Sequence, residues 1–314
     1  MFPGFRWPEN STNKLGILYS FPDWIIEFWL DQLGLEETES LCQWFNRSPA
    51  IDLRINPLKT TLETVETAFQ GAGITTQRIP HLASSLRLSG SLGEIQKLPG
   101  YPQGWWTIQD SSAQWVSLLL DPQPGELIID ACAAPGGKTA HIAELTQDQA
   151  IIFAFDKAQS RLKKLRQNLE RLQLTSVQIE TADILTIQAE KPTADKVLLD
   201  APCSGLGTLH RRADGRWRQT PENILELAQL QLKLLEKVAT WVKPGGSMVY
   251  ATCTVHPTEN EGVIQAFLQQ NSQWQIQIPD PGKFIGITAE GWIKIWPHRH
   301  NMDGFFMVKL QHGG

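Results

Sequence analysis

Short apolar runs alternate with amphipathic segments from Gln109 to the end of the chain. The runs are about four to eight residues long and are bounded by turn-forming residues, a pattern typical of buried parallel strands. They predict strands at 126–130, 150–155, 175–180, 196–200, 247–252 and 304–310. The alternation of strands with helices predicts an α/β fold, a doubly wound Rossmann-like sheet with helices on both faces.

Two of the predicted helices carry clear signals. The helix after the second strand has leucines at helical spacing: Leu162, Leu165, Leu169 and Leu172. A longer helix begins at the N-cap Thr220, and its apolar positions are predicted to be buried as far as Val242. The last two runs, 291–296 and 303–310, have no helix between them. They predict an antiparallel pair at the edge of the sheet.

The first third of the chain has a different pattern. Residues 1–20 are predicted to be a polar tail or linker, and residues 21–110 a small α+β domain that binds RNA. The predicted elements of that domain are helices at 22–30, 37–45 and 61–70 and a strand at 51–55. Residues 111–314 then form the larger domain, after a linker rich in proline and glycine near residue 100.

Composition narrows the class of protein. The 314 residues are 41% hydrophobic and 19% charged, which is ordinary for a globular protein. No apolar stretch approaches the ~18 residues of a membrane span. Four cysteines are too few for a disulfide scaffold and favour a reducing cytoplasm. A net charge of −5 argues against non-specific coating of nucleic acid but leaves room for a local basic groove.

A glycine turn and two acidic residues predict a cofactor site. The segment Ala134-Pro-Gly-Gly137 follows the first strand and precedes a helix, so that helix points its N-terminus at the turn. Asp156 ends the second strand, where an acid typically holds ribose hydroxyls. Asp183 lies beyond the third strand, where it could accept a hydrogen bond from an adenine amino group. Together they favour a cofactor that contains adenosine.

Two cysteines follow strands of the same sheet. Cys203 lies just beyond the strand that ends at Asp200, and Cys253 follows the strand at 247–252. Because ligands bind outside the carboxyl ends of parallel strands, both thiols are predicted to face one crevice. Free cysteines are also common as small buried residues, and this is our interpretation of Cys42. The functional interpretation of the pair is covalent catalysis, and the predicted site contains no metal ion.

A nucleoside triphosphatase is the rival interpretation of the glycine turn. Gly137-Lys138-Thr139 is similar to part of a phosphate-binding P-loop, and Asp200 to an acid that binds magnesium. However, the P-loop pattern requires a glycine where this chain has Cys132, and Pro135 lacks an N–H for the phosphate. The cofactor interpretation is therefore favoured.

Six motifs in order resemble one family: DACAAPGGKT, FDKAQSRL, ADILT, LLDAPCSGLGT, YATCTVHPTENE and PHRHNMDGFF. They resemble the RNA cytosine-5 methyltransferases of the NOL1/NOP2/Sun group, specifically the bacterial Fmu/Sun type that acts on 16S rRNA. The resemblance covers about residues 21–312. Enzymes of that type usually carry a NusB-like helical domain ahead of this region, which is absent here.

The resemblance implies a cofactor, S-adenosyl-L-methionine, and its contacts. These would be Cys132, Ala133, Ala134, Pro135, Gly136, Gly137, Lys138, Asp156, Arg161, Asp183 and Asp200. It also implies that Cys253 is the nucleophile and that Cys203 helps to release the product, with Asp200 and Lys138 in the same catalytic set. A thiolate that adds to C6 of cytosine makes C5 nucleophilic enough to accept a methyl group.

Arginines supply the predicted RNA contacts. Four of them lie in one loop with Trp217, a combination that suits phosphate contact and base stacking: Arg211, Arg212, Arg216 and Arg218. Arg54 lies in a segment that resembles the family's N-terminal RNA-binding segment. The predicted partner is RNA, with 16S rRNA favoured, and the protein is predicted to be a monomer. A non-catalytic RNA-binding or ribosome assembly factor with a retained cofactor fold is the alternative from another class.

Overall fold

The computed structural model of the protein describes residues 7–90, 92–187 and 194–314, and two β-sheets organise these ranges. The first sheet has the order β2-β3-β1-β4, and all its pairs are antiparallel. Its strands are β1 (Ile51–Ile55), β2 (Thr75–Arg78), β3 (Ser85–Ser89) and β4 (Trp106–Ile108). Helix α3 (Leu62–Gly71) lies between β1 and β2 in the sequence, where a helix is predicted at 61–70, and its N-cap Thr61 accepts a hydrogen bond from the Thr64 N–H.

The second sheet has eight strands in the order β10-β12-β9-β8-β5-β6-β7, with β11 paired to β12. The five strands from β9 to β7 are parallel to one another. The strands are β5 (Leu127–Asp130), β6 (Ile151–Asp156), β7 (Val177–Thr181), β8 (Ala194–Asp200), β9 (Val242–Thr252), β10 (Trp274–Ile276), β11 (Ile293–Ile295) and β12 (Phe305–His312). All six strands expected in this region are present, and the predicted α/β fold class is confirmed.

Helices cover both faces of this sheet. They are α4 (Ser111–Leu120), α5 (Gly137–Leu145), α6 (Gln159–Leu172), α7 (Gly215–Arg218), α8 (Pro221–Ala239), α9 (Glu261–Gln270) and α10 (Pro297–His300). One layer of core packs α4, α5 and α6 against the sheet, and a second packs α8 and α9 against the other face. The four leucines expected to face the core are all buried. Short 3₁₀ turns lie at Ile95–Lys97, Ile184–Thr186 and Pro257–Glu259.

The structure corrects three expectations. Residues 11–19 of the expected tail form helix α1 (Ser11–Tyr19), which Asn10 caps by accepting from the Thr12 N–H, whereas residues 1–6 lie outside the described ranges. Val242 does not belong to the long helix, which ends at Ala239; it begins β9 instead. The edge pair forms as β11 and β12, but β12 also pairs with β9 and β10, so it is an interior strand.

The N-terminal helices pack on the larger sheet's loops. Helix α2 (Asp23–Phe45) is kinked at Gly34, which has a φ of 72°, between the two helices expected from the sequence. Its buried side chains, together with Leu15 and Phe21 beside α1, share one core with residues that follow β8, β9 and β11: Leu206, Leu209, Ile224, Val255 and Trp296. The four-stranded sheet has a separate core. The region expected as a single unit at 21–110 therefore contains two cores, and one of them supports the loops of both candidate cysteines.

Candidate active site

A cavity of about 440 Å³ opens at the carboxyl ends of the parallel strands. It lies where the strand order reverses between β5 and β8, the usual place for a ligand in such sheets. Its lining includes Cys132, Ala134, Asp156, Lys157, Arg161, Asp183, Ile184, Leu185, Asp200, Cys203, Arg212, Leu234 and Cys253. Most of the residues predicted to hold the cofactor or to act on the substrate therefore meet at one cavity.

The glycine turn packs closely against a neighbouring helix. Gly136 has a φ of 102°, and a Cβ at this position would lie 2.7 Å from Cγ of Leu165 in α6. A side chain here would therefore be strained in its backbone and would also clash. The turn is closed by a hydrogen bond of 2.8 Å from the Gly136 N–H to the Ala133 carbonyl, and α5 begins at the next residue.

Asp156 holds the turn from the neighbouring strand. Its side chain is 5% exposed, and its two carboxylate oxygens accept hydrogen bonds from the Ala134 N–H at 3.2 Å and the Ala158 N–H at 2.8 Å. Arg161 lies 3.6 Å from the same carboxylate and donates to the Ala134 carbonyl. Since a carboxylate has about four acceptor positions, Asp156 retains capacity for a ligand's hydroxyl groups. Asp183 is exposed and accepts from the Leu185 N–H at 3.0 Å.

The two candidate cysteines are in direct contact. The Sγ atoms of Cys203 and Cys253 are 3.4 Å apart, and both thiols are free. Two glycines let the chain segments around them approach closely: the Gly207 N–H donates to the Cys253 carbonyl at 3.0 Å, and the Gly304 N–H donates to the Gly207 carbonyl at 2.8 Å. A Cβ on Gly207 would lie 2.0 Å from the Gly304 carbonyl oxygen, so no other residue fits there without movement.

The electrostatic surroundings distinguish the two sulfurs. The hydrogen bond with Cys253, together with burial and the negative charge of Glu259, raises the pKa of Cys203 well above its ordinary value. Lys138 lies on the other side, with its Nζ 2.6 Å from Oδ2 of Asp200. Burial by itself lowers the pKa of Lys138, but Asp200 and then Cys253 raise it, so the ammonium is retained. The Lys138 ammonium is thus stabilised by Asp200 and Cys253, whereas a negative charge on Cys203 is opposed by the carboxylate of Glu259.

The remaining cysteines have other surroundings. Cys42 is fully buried in α2, and burial raises its pKa to about 12, which supports its interpretation as a packing residue. Cys132 lines the cavity beside the glycine turn, and burial raises its pKa above the ordinary value as well. Neither thiol is placed to act with the pair formed by Cys203 and Cys253.

Two of the arginines predicted to bind RNA are buried, which corrects those assignments. Arg54 is 2% exposed and donates from Nε and Nη2 to both carboxylate oxygens of Glu144 at 2.8 Å. It also donates to the Gly137 carbonyl at 2.9 Å, so it fixes the start of α5 to the small sheet. Arg216 is 5% exposed, with its guanidinium carbon 3.9 Å from the centre of the Phe21 ring. Both guanidinium groups stabilise packing between parts of the chain, and we do not propose them as RNA contacts.

Arg211 also makes internal contacts. Its guanidinium donates from Nε to Asp303 at 2.9 Å, from Nη2 to Asp110 at 3.0 Å and from Nη1 to the Ala50 carbonyl at 3.0 Å. Asp110 is the N-cap of α4, and burial followed by the charge of Asp303 raises its pKa to about 6. Arg211 therefore links the two sheets, which leaves less of its charge for a phosphate.

Arg212, Trp217 and Arg218 remain at the surface of the predicted RNA-binding loop. Arg212 is exposed and lines the cavity. The side chain of Arg218 is 77% exposed and lies 2.7 Å from Asp214, while Trp217 is 63% exposed. An exposed indole between two arginine-bearing segments is the arrangement that stacks on bases while cations contact the backbone. These three residues carry what remains of the predicted RNA-binding loop.

Comparison with known proteins identifies the family. A family described as 16S rRNA methyltransferase RsmB/F matches residues 117–311, and a ferredoxin-like domain of RsmF/B-like methyltransferases matches residues 21–93. The chain belongs to the RsmB/F family of 16S rRNA methyltransferases. The resemblance inferred from the six motifs is confirmed, and with it an enzyme that methylates ribosomal RNA.

Relatives support this membership along nearly the whole chain. The chain is 48% identical to the probable ribosomal RNA small subunit methyltransferase B of Synechocystis sp., over 96% of this chain and 69% of the relative. It is 36% identical to ribosomal RNA small subunit methyltransferase B of Vibrio cholerae, over 93% and 65%. The crystal structure of a methyltransferase homologue from Pyrococcus horikoshii matches with 29% identity and a TM-score of 0.85, over 97% and 100%. No helix in the described part of the chain is long and apolar enough to cross a membrane.

Proposed function

We propose that this protein methylates C5 of a cytosine in 16S rRNA through a transient bond between Cys253 and C6 of the base. The observation that carries the proposal is the contact of 3.4 Å between the sulfurs of Cys203 and Cys253 at the end of the cavity. Aromatic C5 is a weak nucleophile, so its methylation needs a covalent partner at C6, whereas methylation of a ring nitrogen or a ribose hydroxyl needs no thiol.

The cavity suits S-adenosyl-L-methionine as the methyl donor. Its carboxylates Asp156 and Asp183 can accept from ribose hydroxyls and an adenine amino group, and Ile184 and Leu234 give apolar surface for a ring. Gly136 lets the turn pack against Leu165 of α6, which fixes the turn and the start of α5 beside the cavity. When bound, the cofactor supplies a methyl group attached to a positively charged sulfur. We propose the set listed above as its contacts, with Arg161 and Cys132 at the rim and Asp200 nearest the base.

The protein's own residues would act in sequence on the base. A cytosine that has left its stack, or is single-stranded, enters the cavity. The Cys253 thiolate, which interacts electrostatically with the Lys138 ammonium, forms a bond to C6, and the electron pair of the C5–C6 double bond moves toward C5 and the ring nitrogen. Asp200, held by Lys138 at 2.6 Å, accepts a hydrogen bond from the amino group of the base and orients it, while the Lys138 ammonium offsets the negative charge that develops in the adduct.

Release of the product requires the reverse movement of electrons. After C5 has gained the methyl group, a general base takes the proton from C5. The C5–C6 double bond then forms again, and the bond from C6 to the Cys253 sulfur breaks. Cys203 is a thiol in contact with that sulfur, and its raised pKa keeps its hydrogen in place. A hydrogen bond from this thiol stabilises the departing Cys253 thiolate. This assigns the two cysteines different roles in one reaction.

Single cysteine variants test the proposal. With Cys253→Ala, methyl transfer should stop and no protein–RNA bond should form. With Cys203→Ala, the adduct should form but break down slowly, so a protein–RNA band that resists denaturant should accumulate, and it should vanish in the double variant. Cys42→Ala is the matched control, because it removes a buried thiol of α2 that does not line the cavity and leaves the pair in place. Accumulation with Cys253→Ala instead would exchange the two roles, and full activity of both variants would exclude covalent catalysis.

The same assay separates the alternatives. A non-catalytic assembly factor would transfer no methyl group and trap no RNA in any variant, although it would still bind RNA. A nucleoside triphosphatase would instead hydrolyse ATP in the presence of magnesium. Bisulfite mapping of ribosomal and transfer RNA from cells with and without the gene identifies the modified cytosine.

A further inference from the structure

Glu259 lies fully buried between the loops that carry the two cysteines. Its Oε1 accepts hydrogen bonds from the Ser204 N–H at 2.8 Å and from Nε2 of Gln231 at 3.0 Å. Its Oε2 accepts from the hydroxyl of Ser204 and from the hydroxyl of Thr254 at 3.1 Å. The Glu259 carbonyl accepts from the Tyr250 hydroxyl at 2.6 Å. One carboxylate therefore collects four donors from three separate segments.

Two of the residues that donate to Glu259 are immediate sequence neighbours of the reactive cysteines. Ser204 follows Cys203, and Thr254 follows Cys253. The hydroxyls of Ser204 and Thr254 are also 3.0 Å from each other. Gln231 in α8 donates to the Pro202 carbonyl at 3.0 Å as well as to Glu259, which holds the other side of the Cys203 loop. This network joins the two loops beside the sulfurs, in addition to the hydrogen bond from the Gly207 N–H to the Cys253 carbonyl.

Burying the Glu259 carboxylate away from water has a free-energy cost, so its buried position indicates a structural or functional role. Burial raises the pKa of Glu259, and its four hydrogen bonds act in the opposite direction. Apolar side chains of similar shape at this place would avoid the cost of desolvating a charge. A fully hydrogen-bonded polar network, in contrast, holds its neighbours in one arrangement. We propose that Glu259 is a positioning residue that holds the Cys203 and Cys253 loops so that their sulfurs stay in contact. The catalytic meaning of that contact rests on the function proposed above.

Two substitutions separate geometry from charge. A glutamine at 259 can place its oxygen toward the Ser204 N–H and Gln231, and its NH₂ toward the two hydroxyls, which can turn to accept. Glu259→Gln therefore keeps the bridge and removes the charge, whereas Glu259→Ala removes both. The charge of Glu259 raises the pKa of Cys203, so either substitution makes the Cys203 thiolate more available. Loss of the charge alone should speed disulfide formation between Cys203 and Cys253. Loss of the hydrogen bonds that hold the two loops should slow it.

Formation of a disulfide between Cys203 and Cys253 measures this geometry without RNA or cofactor. Diamide takes the two thiol hydrogens and is reduced to the hydrazine, while the sulfurs move from 3.4 Å to bonding distance, about 2.05 Å. The rate of disulfide formation at neutral pH is followed by mass spectrometry on the folded protein. We expect Glu259→Gln to react at least as fast as the unmodified protein. Glu259→Ala should react about tenfold more slowly or worse, since a displacement of about 1 Å can cost roughly a hundredfold in reactivity.

Glu261→Gln is the matched control. Glu261 lies two residues away, is also paired at 2.7 Å with Lys294, and makes no hydrogen bond to either cysteine loop. Its variant should form the disulfide at the unmodified rate. An unmodified rate in Glu259→Ala would overturn the proposal, and so would an equal slowing in Glu261→Gln. If Glu259→Ala does not fold, the pair of Ser204→Ala and Thr254→Val removes two of the four donors and should slow the reaction, and an unmodified rate there would overturn the proposal.

Kinetics of methyl transfer give the second readout. Glu259→Ala should lower kcat with little change in KM for S-adenosylmethionine, because Glu259 does not line the cavity, and Glu259→Gln should restore most of kcat. A rise in KM with kcat unchanged would contradict positioning. The two proposals fail separately: active Cys253→Ala would remove the covalent function and leave the disulfide result standing, while a normal disulfide rate in Glu259→Ala would remove only the role of Glu259.

Discussion

Nζ of Lys138 lies 2.6 Å from Oδ2 of Asp200, which joins the helix after the glycine turn to the strand that leads to Cys203. The ammonium also lies 5.0 Å from the centre of the Phe305 ring. This ion pair is mostly enclosed, with side-chain exposures of 13% for Lys138 and 31% for Asp200. Because the ion pair is mostly enclosed, removal of either Lys138 or Asp200 is expected to affect both activity and stability.

Lys138→Met should lower methyl transfer by about 100-fold or more, because the Cys253 thiolate loses its cation and Asp200 loses its partner. The free energy of unfolding should fall by about 1–3 kcal/mol, less than for a fully buried pair because Asp200 is partly exposed. Adding Asp200→Asn should recover part of the stability but none of the activity. Urea unfolding and single-turnover methyl transfer test this double-mutant cycle, and equal activity of Lys138→Met and the unmodified enzyme would contradict it.

Asp156→Ala should weaken S-adenosylmethionine binding by about 1–3 kcal/mol, the usual cost of leaving buried donors without an acceptor. Part of the loss comes through the turn, since the Ala134 N–H also loses its acceptor. Asp183→Ala should cost less, because that carboxylate is exposed. Calorimetric titration measures both affinities. Unchanged affinity of Asp156→Ala would count against the ribose contact.

The arginine loop should divide into two functions. Arg212→Gln and Arg218→Gln should each weaken RNA binding and reduce the slope of log affinity against log salt by up to about 1, as phosphate contacts release counterions. Arg211→Gln should instead mainly lower stability, because Asp110 and Asp303 lose their shared partner. Salt titrations of RNA affinity and thermal unfolding separate the effects. An unchanged salt slope in the Arg212→Gln and Arg218→Gln double variant would remove this loop from the RNA surface.

Asp130→Asn should stabilise the protein without ligand at pH 8. Burial raises the pKa of Asp130 to about 7, while the Thr139 hydroxyl, 2.7 Å away, partly opposes this. The folded state therefore binds this proton more tightly than the unfolded state, so stability is lost as pH rises from about 4 to 7. Asparagine never ionises, and the gain should be roughly 1 kcal/mol or more at pH 8 and shrink toward pH 5.

Asp195→Asn is the control of opposite sign. Burial alone raises the pKa of Asp195, but hydrogen bonds from Lys243 and the Leu127 N–H bring it below its ordinary value. Its variant should lose stability at pH 8, and the difference should vanish as the pH falls through the pKa of the native carboxyl. Urea unfolding across this range checks both variants, and a gain for Asp130→Asn that grows at lower pH would contradict the assignment.

The large sheet could be predicted from the sequence. Strand ends such as Asp156 and Asp200 are readable because period, length and turn residues all favour the same element. The N-terminal packing was not readable: α1 is short and polar in composition, and it is held by tertiary contacts such as those of Phe21 and Arg216. Helix propensity is a weak guide where tertiary contact decides.

The sequence placed several candidate residues at the ends of strands, but it did not predict the contacts between them. Cys203 and Cys253 were expected in one crevice, but their direct contact depends on loop geometry that periodicity does not encode. Arg54 and Arg216 were misjudged because a guanidinium in the sequence does not reveal whether a carboxylate or carbonyl group will meet it. Glu259 was present in the motif YATCTVHPTENE without an assigned role, and its string of polar neighbours was the available signal.

The contact between Gly207 and Gly304 also has a consequence for the order of biosynthesis. A ribosome makes the Cys203 and Cys253 segments before it reaches residue 304, yet Gly304 packs directly against Gly207 and Val255, which lie on these two loops. A nascent chain that has emerged only as far as α9 contains both thiols and Glu259 but still lacks this backbone contact. The packing around the two thiols would thus be completed late in translation, after the parallel strands that build the cavity are already available.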